Sequence, residues 1–260
     1  MSMEKYVDKI GVGVEISDVI VFQTRLMMGV QFERLIAAKV KQGDEKKREV
    51  LIACLRLGWN DAFRHTSKNV MDGTKSVLEK ESAKYNKEHK QEYDDYICGK
   101  ILEDEKFYDI FMEYALKAST WEKRDVVKQN WDVIVRLFQV IKEVDGDKAL
   151  CFGHFQKMFN MALKLYLCLY ICKEALGLDD YFFDENILSN LRNADCPIDG
   201  IILKRLDQKL GKKEEYSKIK WSKMDADESR YVEIQKAIDE TNYISRLSFD
   251  FKEWNKICSE

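Results

Sequence analysis

One stretch of the sequence, from about Cys151 to Leu176, is apolar on nearly every face when it is read at the helical period. A helix that is hydrophobic all round is buried, with other helices packed about it. Lys157, Asn160 and Lys164 interrupt the stretch at spacings of three and four residues, which places them in one stripe along the helix. A lysine in such a helix either extends its amine to solvent or lies desolvated beside a partner. The sequence therefore predicts a central buried helix with a polar stripe.

The rest of the chain also favours helices. Its 260 residues include a single proline and twelve glycines, which is little of the turn chemistry that β-hairpins need. A content of 45% hydrophobic and 34% charged residues is typical of a globular protein. We therefore predict an all-α fold, a compact multi-helix domain around the central helix. Residues 1–118 form an amino-terminal helical portion that completes the fold, and residues 119–260 form the helical core.

Periodic patterns predict where the other helices lie. Helical patterns cover residues 17–41, 45–65, 93–117, 120–144, 198–210 and 229–243, and residues 75–92 are predicted as an exposed, charged helix. Pro197 is predicted at the first helical position of the 198–210 helix, where its missing N–H costs nothing. Asp199 is then predicted in the first turn, where the helix dipole favours a carboxylate. Residues 179–195 are predicted as a packed loop with room for a helical turn. The chain is predicted to close with an aromatic tail over residues 249–254.

The cysteines and the apolar stretches indicate the compartment. Seven cysteines are an odd number, are scattered and form no C-x-x-C motif, which favours a reducing compartment over a disulfide framework. We find no secretory signal, and the central apolar stretch is interrupted too often to span a membrane. We therefore expect a cytoplasmic chain without a membrane segment. His65, His89 and His154 are too scattered for a metal motif, and no cofactor is implied.

The charge pattern limits how the chain could bind nucleic acid. A formal net charge of -3 gives no overall basic surface, so binding to DNA would need a local basic patch. Residues 204–223 contain eight basic and three acidic residues, with Tyr216 and Trp221 interleaved. Lys204 and Trp221 are the candidates there for contacting phosphate and stacking a base. Trp221 fits equally well as a core anchor on a basic surface helix.

Lys157 and Asp199 are the candidate catalytic pair. Burial lowers the pKa of a lysine, which frees the lone pair of its amine for attack on an electrophilic carbon. A carboxylate at a helix start would orient that amine or stabilise positive charge developing on a sugar, and an aromatic-lined pocket would stack a base taken out of the duplex. In the other interpretation, Lys157 points its amine outward and Asp199 only adds charge to a helix start.

The segment CFGHFQKMFN at residues 151–160, followed by CPID at 196–199, resembles the catalytic half of the helix-hairpin-helix DNA glycosylases. It is most similar to the archaeal 8-oxoguanine DNA glycosylase branch, in which a Lys-Met helix precedes an apolar-Pro-apolar-Asp element. The resemblance implies an all-α base-excision glycosylase and lyase in which Lys157 forms a Schiff base with the sugar and Asp199 assists base departure. Gln156 and Asn160, from the same segment, are further candidates for contacting nucleic acid.

Two features favour a different function. A hairpin of the Leu-Pro-Gly-Val-Gly type, which binds the DNA backbone in that superfamily, is not found in this sequence, and the overall charge is acidic. These features favour a non-catalytic all-α module that binds a nucleic acid or an unidentified protein partner. The Trp59-Asn60-Asp61 segment is a candidate pocket lining, although helix packing explains Trp59 equally well.

Overall fold

The computed structural model describes residues 11–15, 17–19, 22, 45–63, 105–117, 126–145 and 151–257. Within these ranges the regular structure is helical throughout, without any β-strand, which confirms the predicted all-α class. The helix predicted over 75–92, most of the one over 17–41 and the division at residue 118 lie outside the described residues.

Nine α-helices lie in the described parts of the chain. They are α1 Glu45–Phe63, α2 Glu105–Lys117, α3 Val126–Asp145, α4 Phe152–Ile171, α5 Lys173–Leu176, α6 Glu185–Asn190, α7 Gly200–Leu210, α8 Glu228–Asp239 and α9 Arg246–Ile257. Three short 3₁₀ turns accompany them, at Asp180–Phe182, Leu191–Asn193 and Trp221–Lys223. The helices predicted over 45–65 and 229–243 are therefore confirmed to within a few residues at each end.

Helix α4 is the centre of the hydrophobic core. Every residue of this helix except Tyr170 is buried, as its apolar faces predict. The burial includes the polar stripe, because Lys157, Asn160 and Lys164 are all less than one-tenth exposed. Of the two interpretations of these lysines, the structure therefore has the desolvated one. Lys164 forms an ion pair with Asp250 of α9, with 2.5 Å between Nζ and Oδ2.

Helix α1 packs closely against α4 at Gly58. A Cβ atom on this residue would lie 2.3 Å from the carbonyl oxygen of Met158, so only glycine permits the observed approach. Asp61 lies three residues after Gly58 and hence on the same face of α1. This close packing brings the Asp61 carboxylate to the side of α4 that carries Lys157.

The predicted start of the helix after Pro197 is wrong. Residues 194–199 lie outside any helix, and α7 begins at Gly200 with Asp199 as its N-cap residue instead of a residue of its first turn. One carboxylate oxygen of Asp199 accepts hydrogen bonds from the N–H groups of Ile201 and Ile202, at 2.9 and 3.0 Å. This is the usual way in which an aspartate satisfies the first donors of a helix.

Two buried glutamines explain why the helix does not begin earlier. The side-chain amide of Gln156 in α4 donates to the carbonyl of Ile198 at 2.8 Å, and its oxygen accepts from the Ile198 N–H at 3.1 Å. Gln235 in α8 pairs with both backbone groups of Cys196 in the same way, at 2.8 and 3.0 Å. Because these backbone groups are satisfied by side chains, the segment gains nothing from helical hydrogen bonds.

The carboxyl-terminal third is more helical than predicted. The expected loop over 179–195 contains α6 and two of the 3₁₀ turns, and the expected aromatic tail forms α9. Ser245 and Ser248 cap the start of α9 reciprocally, since each hydroxyl accepts a hydrogen bond from the other residue's N–H, at 3.1 and 3.0 Å. The serine pair is a capping signal that the sequence contains and that our prediction overlooked.

No helix in the described part of the chain has the length and apolar character needed to cross a membrane. The five cysteines that are described, Cys54, Cys151, Cys168, Cys172 and Cys196, are free thiols.

Candidate functional site

The amine of Lys157 lies between two carboxylates. Its Nζ atom is 2.9 Å from Oδ2 of Asp61 and 3.2 Å from Oδ2 of Asp199. The side chains of the lysine and the two aspartates are 9%, 11% and 13% exposed, so the group is largely withdrawn from water. The two residues that the sequence singles out as a catalytic pair are therefore in direct contact, and α1 adds a third member, Asp61.

The capping role of Asp199 fixes the direction of its carboxylate. Its Oδ1 atom is engaged by the backbone donors of α7, which leaves Oδ2 for the Lys157 amine. Helix starts favour negative charge because their free N–H groups and dipole point toward it. Asp199 is thus a carboxylate whose position is set by helix α7 and by residues 195–199, which Gln156 and Gln235 bind and which we call the clamped segment.

Trp221 lies beside the same amine. The centre of its ring is 5.3 Å from Nζ of Lys157, within the range of a cation–π contact. The turn that carries it packs on the amino-terminal end of α4, where the Gly153 N–H donates to the Met224 carbonyl at 3.0 Å. His154 contacts the Trp221 ring edge-to-face, with 5.3 Å between the ring centres. Trp221 is partly buried, so both roles predicted for it, base stacking and core anchoring, stay open.

The lowered pKa predicted for Lys157 is wrong in sign. Burial does lower the pKa of this amine, but the charges of Asp199 and Asp61 and their hydrogen bonds outweigh it, and the pKa lies above its ordinary value. The sequence indicated one carboxylate near this lysine, whereas the structure has two. In the free protein Lys157 is therefore an ammonium ion and must lose a proton before it can act as a nucleophile.

Gln156 and Asn160, predicted to contact nucleic acid, have their amides engaged within the protein. Gln156 is fully buried on the Ile198 backbone, and Asn160 donates to the Tyr231 hydroxyl at 3.1 Å. In this structure they position the segment that leads to Asp199. Their role toward nucleic acid stays a prediction.

Lys204 lies on the exposed surface of α7, one turn after Gly200 and hence on the same face of that helix. Gly200 lies next to the indole of Trp221, because a Cβ atom built on it would be 3.6 Å from Nε1. Lys220 and Lys223, on either side of Trp221, are also exposed. The three lysines form what we call the basic rim, an exposed set of cations beside the Lys157 site.

The sequence does not indicate Asp61 as a catalytic or binding residue, although residues 59–61 are a candidate pocket lining. No spacing rule connects residues so far apart in the chain, and only the packing of α1 on α4 pairs them. The described residues contain no group of three or more His, Cys, Asp or Glu side chains that could hold a metal ion. His65 and His89 lie outside the described residues.

Comparison of the chain with protein families, with curated proteins and with solved structures gives no match. The similarity to the helix-hairpin-helix glycosylases therefore stays a prediction that depends on residues 151–160 and 196–199.

His154 makes the stability of the protein dependent on pH. Burial, together with the nearby charge of Lys157, lowers its pKa from 6.5 to about 4. An unfolded chain binds this proton more readily, so stability is lost as the pH falls from 6.5 toward 4, by as much as about 3 kcal/mol. We expect urea unfolding to show that the free energy of unfolding falls less between pH 7 and pH 4.5 for His154→Gln than for the wild type. An equal loss in both proteins would contradict this prediction.

Proposed function

We propose that this chain is a base-excision DNA glycosylase with lyase activity, in which Lys157 forms a Schiff base with the sugar and Asp199 assists the departure of the base. The observation that supports it best is the buried Lys157 amine, held against a helix-capping carboxylate with an indole alongside. A nucleophile, an acidic partner and a stacking surface are the three groups that such chemistry needs at one sugar.

The proposed reaction begins when the Lys157 ammonium loses a proton to water. The amine lone pair then attacks C1′ of the sugar, the bond between C1′ and the base nitrogen breaks, and the bonding electrons leave with the base, which takes up a proton. The new amine then loses a proton, its lone pair forms the C=N bond as the bond between C1′ and O4′ breaks, and O4′ takes up a proton, which opens the sugar ring and gives the Schiff base. The carboxylate of Asp199, which α7 holds in place, stabilises the positive charge that develops on the sugar.

In this proposal the basic rim binds DNA although the protein as a whole is acidic. Lys204, Lys220 and Lys223 are exposed beside Trp221, where they would contact phosphates on either side of an extruded nucleotide. Phosphate contacts of this type position the duplex without reading its sequence. In this proposal the rim takes the place of the backbone-binding hairpin that the sequence lacks.

Borohydride trapping tests the proposal, because borohydride reduces a Schiff base to a stable secondary amine. Oligonucleotides with an abasic site or with 8-oxoguanine should each give a covalent adduct with the wild type. Lys157→Arg should give none, since a guanidinium keeps the positive charge between the two aspartates but does not form the Schiff base. Lys173→Gln is the matched control, because it removes another buried lysine that is paired with an aspartate, Asp180.

Each failure has a defined meaning. If the wild type gives no adduct with either oligonucleotide, the glycosylase proposal is wrong. If Lys157→Arg is trapped as well as the wild type, another amine is the nucleophile. A wild type that binds the oligonucleotides with strong salt dependence but is never trapped would support the alternative, a non-catalytic binding module. In such a module the ion pairs of Lys157 with Asp61 and Asp199 would only hold the helices together.

A further inference from the structure

The site contains more negative charge than a catalytic pair requires. Asp199 alone would neutralise the Lys157 ammonium, yet the carboxylate nearer to Nζ is that of Asp61, at 2.9 Å against 3.2 Å. Asp61 also comes from a different helix, and its approach depends on the glycine contact between α1 and α4. Such an arrangement calls for an explanation beyond charge neutralisation.

We propose that Asp61 is a positioning residue that restrains the nucleophile: it keeps the Lys157 amine protonated and held against Asp199 while no nucleic acid occupies the site. The inference rests on the proposed function, since a restraint has a purpose only if this amine reacts. A buried neutral amine would condense with any small aldehyde that reached it, and an ammonium ion cannot. The second carboxylate thus suppresses side reactions of the free protein.

The other groups near the amine do not duplicate this effect. His154, on the same helix, has a pKa of about 4 and is therefore neutral at pH 7. Trp221 carries no charge, and Asp250 of α9 is in direct contact with Lys164. Asp199 is retained in both Asp61→Asn and Asp61→Glu. Removing the charge of Asp61 alone should therefore lower the proton affinity of Lys157 without leaving a buried ammonium unpaired.

The first test measures this affinity directly and needs no substrate. The protein is labelled with carbon-13 lysine, and the Lys157 signal, assigned with Lys157→Arg, is titrated by NMR. In Asp61→Asn the midpoint should fall by about one pH unit or more, the usual effect of an opposite charge at this distance. Asp61→Glu should restore it in part. Asp180→Asn, which removes the carboxylate beside Lys173, is the matched control and should leave the Lys157 midpoint unchanged.

The second test follows the pH dependence of trapping on an oligonucleotide with a preformed abasic site, under single-turnover conditions. The rising limb for Asp61→Asn should move to lower pH, so that trapping at pH 7 becomes about tenfold faster than in the wild type. An unchanged NMR midpoint together with an unchanged trapping profile would overturn the restraint. A wild type that is never trapped would instead overturn the proposed function. The NMR titration would still decide whether Asp61 keeps the Lys157 amine protonated.

Discussion

Replacement of Asp195 by alanine is expected to lower the free energy of unfolding by about 3–5 kcal/mol, the usual cost of removing one partner from a buried ion pair. The carboxylate is fully buried, and its Oδ1 atom lies 2.9 Å from Nε of Arg246. It also accepts hydrogen bonds from the Tyr231 hydroxyl at 2.7 Å and the Asn130 amide at 2.9 Å. Alanine would leave a buried guanidinium and two polar groups without this acceptor.

Asp239→Ala is the matched control, because Asp239 pairs with the same guanidinium. Its Oδ2 atom is 2.9 Å from Nη1 of Arg246, but its side chain is 49% exposed. Exposed ion pairs contribute about 1 kcal/mol or less, so this variant should stay close to the wild type in urea unfolding at pH 7. Similar losses of unfolding free energy for Asp195→Ala and Asp239→Ala would show that burial of the carboxylate does not determine how strongly it pairs with Arg246.

The Asp195 network also supports the candidate site. Asn160 of α4 donates to the Tyr231 hydroxyl, and that hydroxyl donates to Asp195, so the central helix is joined to the residue that begins the clamped segment. Asp199 lies at the end of this segment. An alanine at position 195 should therefore weaken trapping as well as stability, because the carboxylate that faces Lys157 loses part of its support.

The sequence predicts α4 well because the information is local. A run of residues that is apolar at every helical position has no solvated arrangement, so burial of the helix follows from the pattern. The pattern does not decide whether the amines of Lys157 and Lys164 are solvated or desolvated. The start of α7 is different. Pro197 satisfies the local rule for a first helical residue, but the backbone on both sides of it is bound by Gln156 and Gln235 from two other helices. A local rule cannot include those partners.

The site shows the same division between local and tertiary information. The resemblance indicates Lys157 and Asp199, while the apolar neighbours of the lysine leave both a solvated and a desolvated amine open. The direction of its pKa shift could not be predicted, because burial is opposed by the charges of Asp199 and Asp61 together, and the position of Asp61 is set by the close contact of α1 with α4. The two carboxylates, at 3.2 and 2.9 Å from the amine, together outweigh the effect of burial.

Gly153→Ala is expected to destabilise the protein by about 3 kcal/mol and to move Trp221 away from the Lys157 amine. A Cβ atom at this position would lie 1.7 Å from the carbonyl oxygen of Trp221 and 2.9 Å from its carbonyl carbon. These are backbone atoms, so no side-chain rotation relieves the overlap, and the turn Trp221–Lys223 must leave the end of α4. The loss exceeds the gain of up to about 1 kcal/mol that alanine brings to a helix interior.

Gly200→Ala tests whether this effect is specific, because Gly200 lies beside the indole of the same tryptophan. The nearest atom to its added Cβ would be Nε1 of Trp221 at 3.6 Å, an ordinary van der Waals distance. Alanine there should leave stability unchanged or raise it by about 0.5–1 kcal/mol. Urea unfolding and Trp221 fluorescence should therefore change in Gly153→Ala and not in Gly200→Ala. If Gly153→Ala unfolds like the wild type, the turn does not pack on α4 as closely as described, and Trp221 is free to lie elsewhere.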